Sequence, residues 1–182
     1  MTFEPGRPVL YMKVGTHARE TLGDIIERKR REIENEGFAM WGYGGNTCHP
    51  LKMVQPFAKA ANAPITLCMQ PMQSKHFADP IRAEEYSEDG KIWRPVPEGI
   101  NVRGSNYALC IDSLEEVDET LDLSGTRVAV GPSRGRIGNA YIRGRVDKAC
   151  LEVADNDIEV SKKVSIRLTA EIIAPYAVLL RS

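Results

Sequence analysis

The chain has 182 residues, of which 42% are hydrophobic and 27% charged, and a formal net charge of −1. That length suits one domain with a core that needs no disulfide or metal staples, and the near-neutral balance argues against a binder driven by bulk charge, although basic residues can still concentrate on one face. No apolar run approaches the ~20 residues of a membrane span, and the opening MTFEPGRP lacks the apolar stretch of a secretion signal, so a cytoplasmic, non-membrane protein is expected.

In chain order, residues 1–7 read as a polar lead-in and Pro8–Val14 (PVLYMKV) as a first strand rich in β formers. Gly15 breaks it, and Thr16 is a candidate N-cap for a helix over Ala18–Glu36. On that helix Leu22, Ile25, Ile26 and Ile33 share one face, with the stem of Lys29 between them. The run ERKRRE reads as its solvated side, and Gly37 as its C-terminal cap. Phe38–Trp41 is a short strand that breaks into a loop at Gly42, Gly44 and Gly45, where a ligand could approach the backbone closely. Leu51–Asn62 can form a short helix if Pro56 sits in its first turn. Pro64–Met69 is continuously apolar, hence a buried strand.

Residues 70–80, with His76, read as loop, 81–87 as a strand and 88–90 as a turn. Residues 91–105 (KIWRPVPEGINVRGS) have little periodicity and read as a surface excursion that carries Trp93. Asn106–Asp112 is a core strand, and the acidic Glu115–Asp122 segment is expected as a solvated turn or helix. Thr126–Val130 is a strand, followed by a glycine loop with Arg134 and Arg136. Residues 140–145 and 146–153 read as strands with a bend at Gly144, then a turn at 154–157. Residues 162–173 alternate as a half-buried strand, Pro175 interrupts, and Tyr176–Leu180 closes as a last apolar strand. The four cysteines (Cys48, Cys68, Cys110, Cys150) form no CxxC pair, and three lie in or beside apolar runs. They read as buried free thiols, with neither a disulfide nor a zinc site.

One long helix, one short helix and about seven strands joined mainly by turns define an α+β fold with a strongly curved mixed sheet or open barrel. Residues 1–153 are expected to form the domain. Residues 154–182 would pack on it or pair with a second copy, because an apolar last strand without a partner is an edge that self-association covers.

The sequence from 8 to 87 resembles small PUA-like domains of the EVE and ASCH kind, on the order of elements and on Gly37, Phe38, Met40, Trp41 and Gly42, where a helix ending in glycine leads into a strand that closes on Trp-Gly. The resemblance implies a non-catalytic domain that binds a nucleotide, a modified base or nucleic acid, with no cofactor. It implies that Trp41 and Tyr43, or Trp93, stack on a base. Asn46 and Thr47 would read its edge, and Arg134, Arg136, Arg143 and Arg145 would contact phosphate. The loop at 70–105 and the tail beyond 153 depart from that pattern.

Two other classes remain open. The strand Val9–Val14 followed by Gly15 and Thr16 also resembles the opening of ADP-ribosyltransferase folds, which bind NAD there, although Lys13 and Val14 stand where those folds carry histidine. A hydrolytic variant would need Cys48 with His49 or His17, and a metal site would draw on His17, His49, His76 and Cys48, at spacings that match no common motif. The third class is a structural or assembly subunit.

Overall fold

The computed structural model describes residues 1–73, 78–144, 146–154 and 161–182. His76, Arg145 and most of the turn expected at 154–157 lie outside the described residues. The strands are β1 (Pro8–Val14), β2 (Ala39–Tyr43), β3 (Ile65–Pro71), β4 (Glu85–Ser87), β5 (Arg94–Pro95), β6 (Tyr107–Ile111), β7 (Glu115–Asp122), β8 (Thr126–Val128), β9 (Lys148–Val153) and β10 (Lys163–Arg181). They form a mixed sheet whose main path runs β2-β6-β10-β3-β1-β9-β8. The helices are α1 (Leu22–Glu36), α2 (Gln55–Ala60), which continues a π turn over Pro50–Val54, and the short α3 (Gly138–Tyr141). The fold is α+β with a large sheet that does not close.

The first helix starts later than expected. Thr21, not Thr16, is the N-cap: its backbone is extended and its hydroxyl accepts from the Asp24 N–H at 3.2 Å. Residues 17–20 are taken up by a tight turn, which leaves α1 fifteen residues. Gly37 caps the other end in the left-handed conformation, its N–H bonded to the Ile33 carbonyl. Ile25 and Ile26 are buried, whereas Leu22 and Ile33 are half-buried. Lys29 and Glu32 complete the buried face.

Three other expectations are corrected. Glu115–Asp122 is a strand, because Val117, Glu119 and Leu121 alternate toward the protein and the segment pairs with β10 from Lys163 to Thr169. Its outward carboxylates meet Arg30 at 3.1 Å (Glu116) and Arg167 (Asp118). Residues 138–141 are a helical turn rather than a strand, closed by bonds from the Ala140 and Tyr141 N–H groups to Ile137. Residues 91–105 are not a mere surface excursion, because they bury Val96, Ile100 and Val102.

The largest correction concerns the tail. The 19-residue β10 is the spine of the sheet. Ile172 pairs with Ile65 of β3 and with Ile111 of β6, so those strands lie on opposite edges of β10. Leu179 likewise pairs with Ser87 of β4 and with Tyr107 of β6. Five steps along β10 (172 to 177) span what β6 covers in two (111 to 109), a bulge in which Pro175, with no N–H to give, costs no ladder bond. At Ile172 and Leu179 the apolar tail has partners on both sides, so there it is not the unpartnered edge that the sequence suggests.

Leu10, Met12 and Val14 of β1, Leu67 and Met69 of β3, and Trp41 and Tyr43 of β2 belong to one core cluster, together with Ile25 and Ile26 of α1. Along the sheet, β1 and β2 are separated by β6, β10 and β3. These two strands can share a core with α1 only because the sheet curls. Val9, Tyr11 and Cys68 point to the opposite face and pack with Leu151 and Ile166, as the strand period of two requires. All four cysteines are buried.

Candidate nucleotide-binding cavity

At the carboxyl end of β1 lies a cavity of about 870 Å³, walled by Met12–His17, by Ile25, Arg28 and Lys29 of α1, by Trp41–Thr47, by Val102–Asn106 and by Val146–Lys148. β1 and β3 are parallel, and the Met72 N–H bonds the Val14 carbonyl at 2.7 Å just beyond them. The cavity therefore sits outside the carboxyl ends of a parallel pair, where open sheets commonly bind ligands.

Strand geometry explains how β2 reaches this wall. Trp41 and Tyr43 share a parity, face the core and are each 4% exposed. Gly42 has the opposite parity, and a Cβ there would stand 2.4 Å from Ser105 Oγ and 2.8 Å from Val102 Cγ1. Only glycine lets the Val102–Asn106 segment lie against β2. The Tyr43 hydroxyl donates to the Cys48 carbonyl at 2.5 Å, tying off the loop between them. Within that loop Gly45 takes φ +88, and a Cβ on it would be 3.3 Å from Lys148 Nζ.

The mouth of the cavity carries the turn that displaced the start of α1. His17 and Glu20 exchange backbone hydrogen bonds of 3.0 and 2.9 Å, and Ala18 and Arg19 between them have φ of 49° and 64°. Such turns favour Asn-Gly, since both central residues need positive φ. An L-residue held there costs about 1–2 kcal/mol, and strain of this kind concentrates at functional sites. Arg19 is exposed, so Arg19→Gly is expected to raise the unfolding free energy by about 1 kcal/mol, readable as a higher urea midpoint at unchanged m. A lower midpoint would contradict the strain.

Two ion pairs organise the α1 side. Arg28 bonds Glu20, and that hydrogen bond, the leading cause, holds the Glu20 carboxyl below its ordinary pKa. Lys29, 2% exposed, donates to Glu32 at 2.9 and 3.1 Å and to the Asn101 carbonyl at 2.8 Å. Burial pushes its pKa down to about 8, and Glu32 opposes that fall. The Asn101 N–H returns a bond to Glu32 Oε1 at 2.9 Å. This exchange fixes the strand-like run that carries Arg103, Gly104 and Ser105 into the wall. Arg103 Nε bonds Asn101 Oδ1 at 3.1 Å, and among the described residues no carboxylate lies within ion-pair distance of its guanidinium. Among the described residues Thr47 Oγ1 and Arg28 Nε, both on lining residues, are buried without a hydrogen-bond partner.

His17 Nε2 is 3.0 Å from the Gly104 carbonyl and 3.2 Å from Ser105 Oγ. A carbonyl can only accept, so Nε2 carries the hydrogen. The Ser105 hydroxyl donates to the Arg103 carbonyl at 3.1 Å. In that state His17 cannot take the Ser105 proton, and the pair is not a nucleophile and base. Cys48 and His49 are no better placed. The Cys48 thiol is buried 3.8 Å from Cys150 Sγ. His49 Nδ1 accepts from the Leu51 and Lys52 N–H groups as a helix cap. Among the described residues no three His, Cys, Asp or Glu side chains converge on a metal-sized point.

The expected ligand residues divide. Trp41, Tyr43, Asn46 and Thr47 all line the cavity. Trp93 does not: it lies under the Arg181 guanidinium, 4.0 Å from the ring centroid, and Arg181 also bonds Glu85 at 2.6 Å. Arg134, Arg136 and Arg143 are exposed and do not line the cavity. Arg136 sits 5.8 Å above Tyr141, and Arg143 Nε reaches the Asn139 carbonyl at 3.4 Å. The glycine loop thus meets Val146–Lys148 rather than the arginines of 134–143. Sequence reasoning missed Arg28, Arg103, Ser105 and Lys148. For Lys148 a signal existed: it shares the parity of Cys150 in KACLEV and therefore faces inward. No known family model, no curated protein and no solved structure matches this chain.

Proposed function

We propose that this protein is a binding domain for a nucleotide or a phosphate-bearing base, and that the cavity at the end of β1 is its site. The observation that carries the reading is the meeting in one cavity of an aromatic, glycine-rich strand end (Trp41–Thr47) with Arg103 and Lys148. The volume of about 870 Å³ lies within the ~300–1,000 Å³ typical of small-ligand sites. Apolar ring and glycine surface suits a base, and the cations suit phosphate. Of the stretch that carries the PUA-like resemblance, Trp41 and Gly42 form part of this wall. A strand of nucleic acid needs a row of cations along a groove, whereas this cavity offers Arg103 and Lys148 on separate lining segments, which favours a single nucleotide. An NAD-using transferase is the second reading, because Val14–His17 also line the cavity. Its weakness is that Lys13 and Val14 stand where those folds carry histidine.

Calorimetric titration with ribonucleoside 5′-phosphates, NAD and a short single-stranded oligonucleotide tests this. Saturable one-to-one binding of a mononucleotide is expected. Arg103→Ala should weaken it roughly 10- to 100-fold, as loss of a charge-assisted bond implies. Silence from every nucleotide would remove the proposal, and NAD consumption would favour the second reading.

A further inference from the structure

Lys148 is a buried cation with donors to spare. It is 5% exposed, and among the described residues its ammonium makes one hydrogen bond, to Asp147 Oδ1 at 2.7 Å, and lies 5.9 Å from the Tyr43 ring centroid. An ammonium has three donors, and burial normally fills them. Asp147 is itself 45% exposed, so this counterion is shared with water. The ammonium stands against the glycine loop, where a Cβ at Gly45 would be 3.3 Å from Nζ. Two residues on, Thr47 Oγ1 is buried with no hydrogen-bond partner among the described residues. Gly45 takes positive φ between them, and turns of this kind can direct successive N–H groups into one anion-binding concavity. Among the described residues, an ammonium with one hydrogen bond, an unpaired hydroxyl and a glycine backbone line the same cavity.

We propose that Gly45, Thr47 and Lys148 form the phosphoryl subsite of the cavity. The inference rests on the nucleotide reading above and deepens it. It assigns phosphate to the glycine loop, which the sequence alone assigns to base-edge reading, and leaves the Trp41 and Arg103 walls to the base and sugar. The ligand class is a nucleoside 5′-monophosphate, whose terminal group carries nearly two negative charges and three acceptor oxygens. Lys148 supplies charge, the Thr47 hydroxyl donates one bond, and the loop N–H groups supply geometry. Asp147 remains the exposed counterion of Lys148 and turns to water when phosphate binds.

The test compares the four ribonucleosides with their 5′-monophosphates by calorimetry, on wild type, Lys148→Met, Lys148→Arg and Thr47→Val. Wild type should prefer a monophosphate over its nucleoside by roughly 10-fold or more, the worth of a charge-assisted bond. Lys148→Met should reduce that ratio toward one without changing nucleoside affinity, and Lys148→Arg should restore part of it. Thr47→Val removes only the hydroxyl at nearly constant volume and should lower the ratio by a smaller factor, which keeps the test valid if Lys148→Met folds poorly. Inorganic phosphate should compete with the monophosphate in wild type and not in Lys148→Met. Nucleosides and monophosphates bound alike by wild type, or a Lys148→Met loss equal for both, would overturn the subsite while leaving the nucleotide reading standing. No binding by any of the eight compounds would overturn both.

Discussion

Lys29→Met is expected to destabilise the protein by about 3–5 kcal/mol, the cost of leaving a buried charge without its partner. Glu32 is 3% exposed, and Lys29 is its close cationic partner, since Arg28 Nε stands 3.8 Å away. The substitution also strips the Asn101 carbonyl of its donor. A buried pair is poor evidence of net stability, since its two desolvation costs rival its attraction. The double variant Lys29→Met/Glu32→Leu should therefore recover most of the loss in equilibrium unfolding. It should not recover ligand binding, because Asn101 would have lost both of its ties to α1, and those ties hold Arg103 in the wall. Equal stability of the single and double variants would show that the pair is not coupled.

Trp41→Ala is expected to cost about 3–5 kcal/mol, as large-to-small changes at buried aromatics do, and to lower the melting temperature by roughly 6–20 °C for a chain of this size. Trp41 is 4% exposed, pairs with Leu109 across β2 and β6, and packs in the cluster that holds Leu10, Leu67 and Ile25. From the sequence, a tryptophan beside a glycine loop invites reading as a free stacking platform whose removal would spare the fold. The alternation of β2 turns it inward instead, and it contributes to the cavity as part of its wall. A melting temperature within a degree or two of wild type would mean that the ring is not core.

The parts of the fold that were legible are those written in local patterns. The β1 strand, the periodic face of α1, the Gly37 cap and the β3 core strand follow from spacing and composition. The tail could not be placed, because nothing local tells a central strand from an edge strand. Ile172 and Leu179 find partners on both sides only through pairings with residues 61 to 107 positions away. The acidic β7 misled because its charge masked its alternation. The site was half legible. Trp41–Thr47 stood out by residue type. Arg103 reaches the cavity through the Lys29–Glu32–Asn101 exchange, which is not written in neighbouring residues, and the inward parity of Lys148 does not say that the β1–β9 register brings it to this wall. The exposed arginines at 134, 136 and 143 attracted attention by composition, but the chain turns them away from the cavity.

The central claim is that a nucleotide occupies the cavity beside Trp41. The chain has two tryptophans, and Trp93 lies outside the cavity at the Arg181 contact. Trp93→Phe leaves Trp41 as the sole indole reporter without touching the wall. Titrating that variant with each ribonucleoside 5′-monophosphate should produce a saturable change in Trp41 emission, reversed by dilution and shifted to higher concentration by Arg103→Ala. An emission spectrum that stays constant through millimolar concentrations of all four would contradict the account.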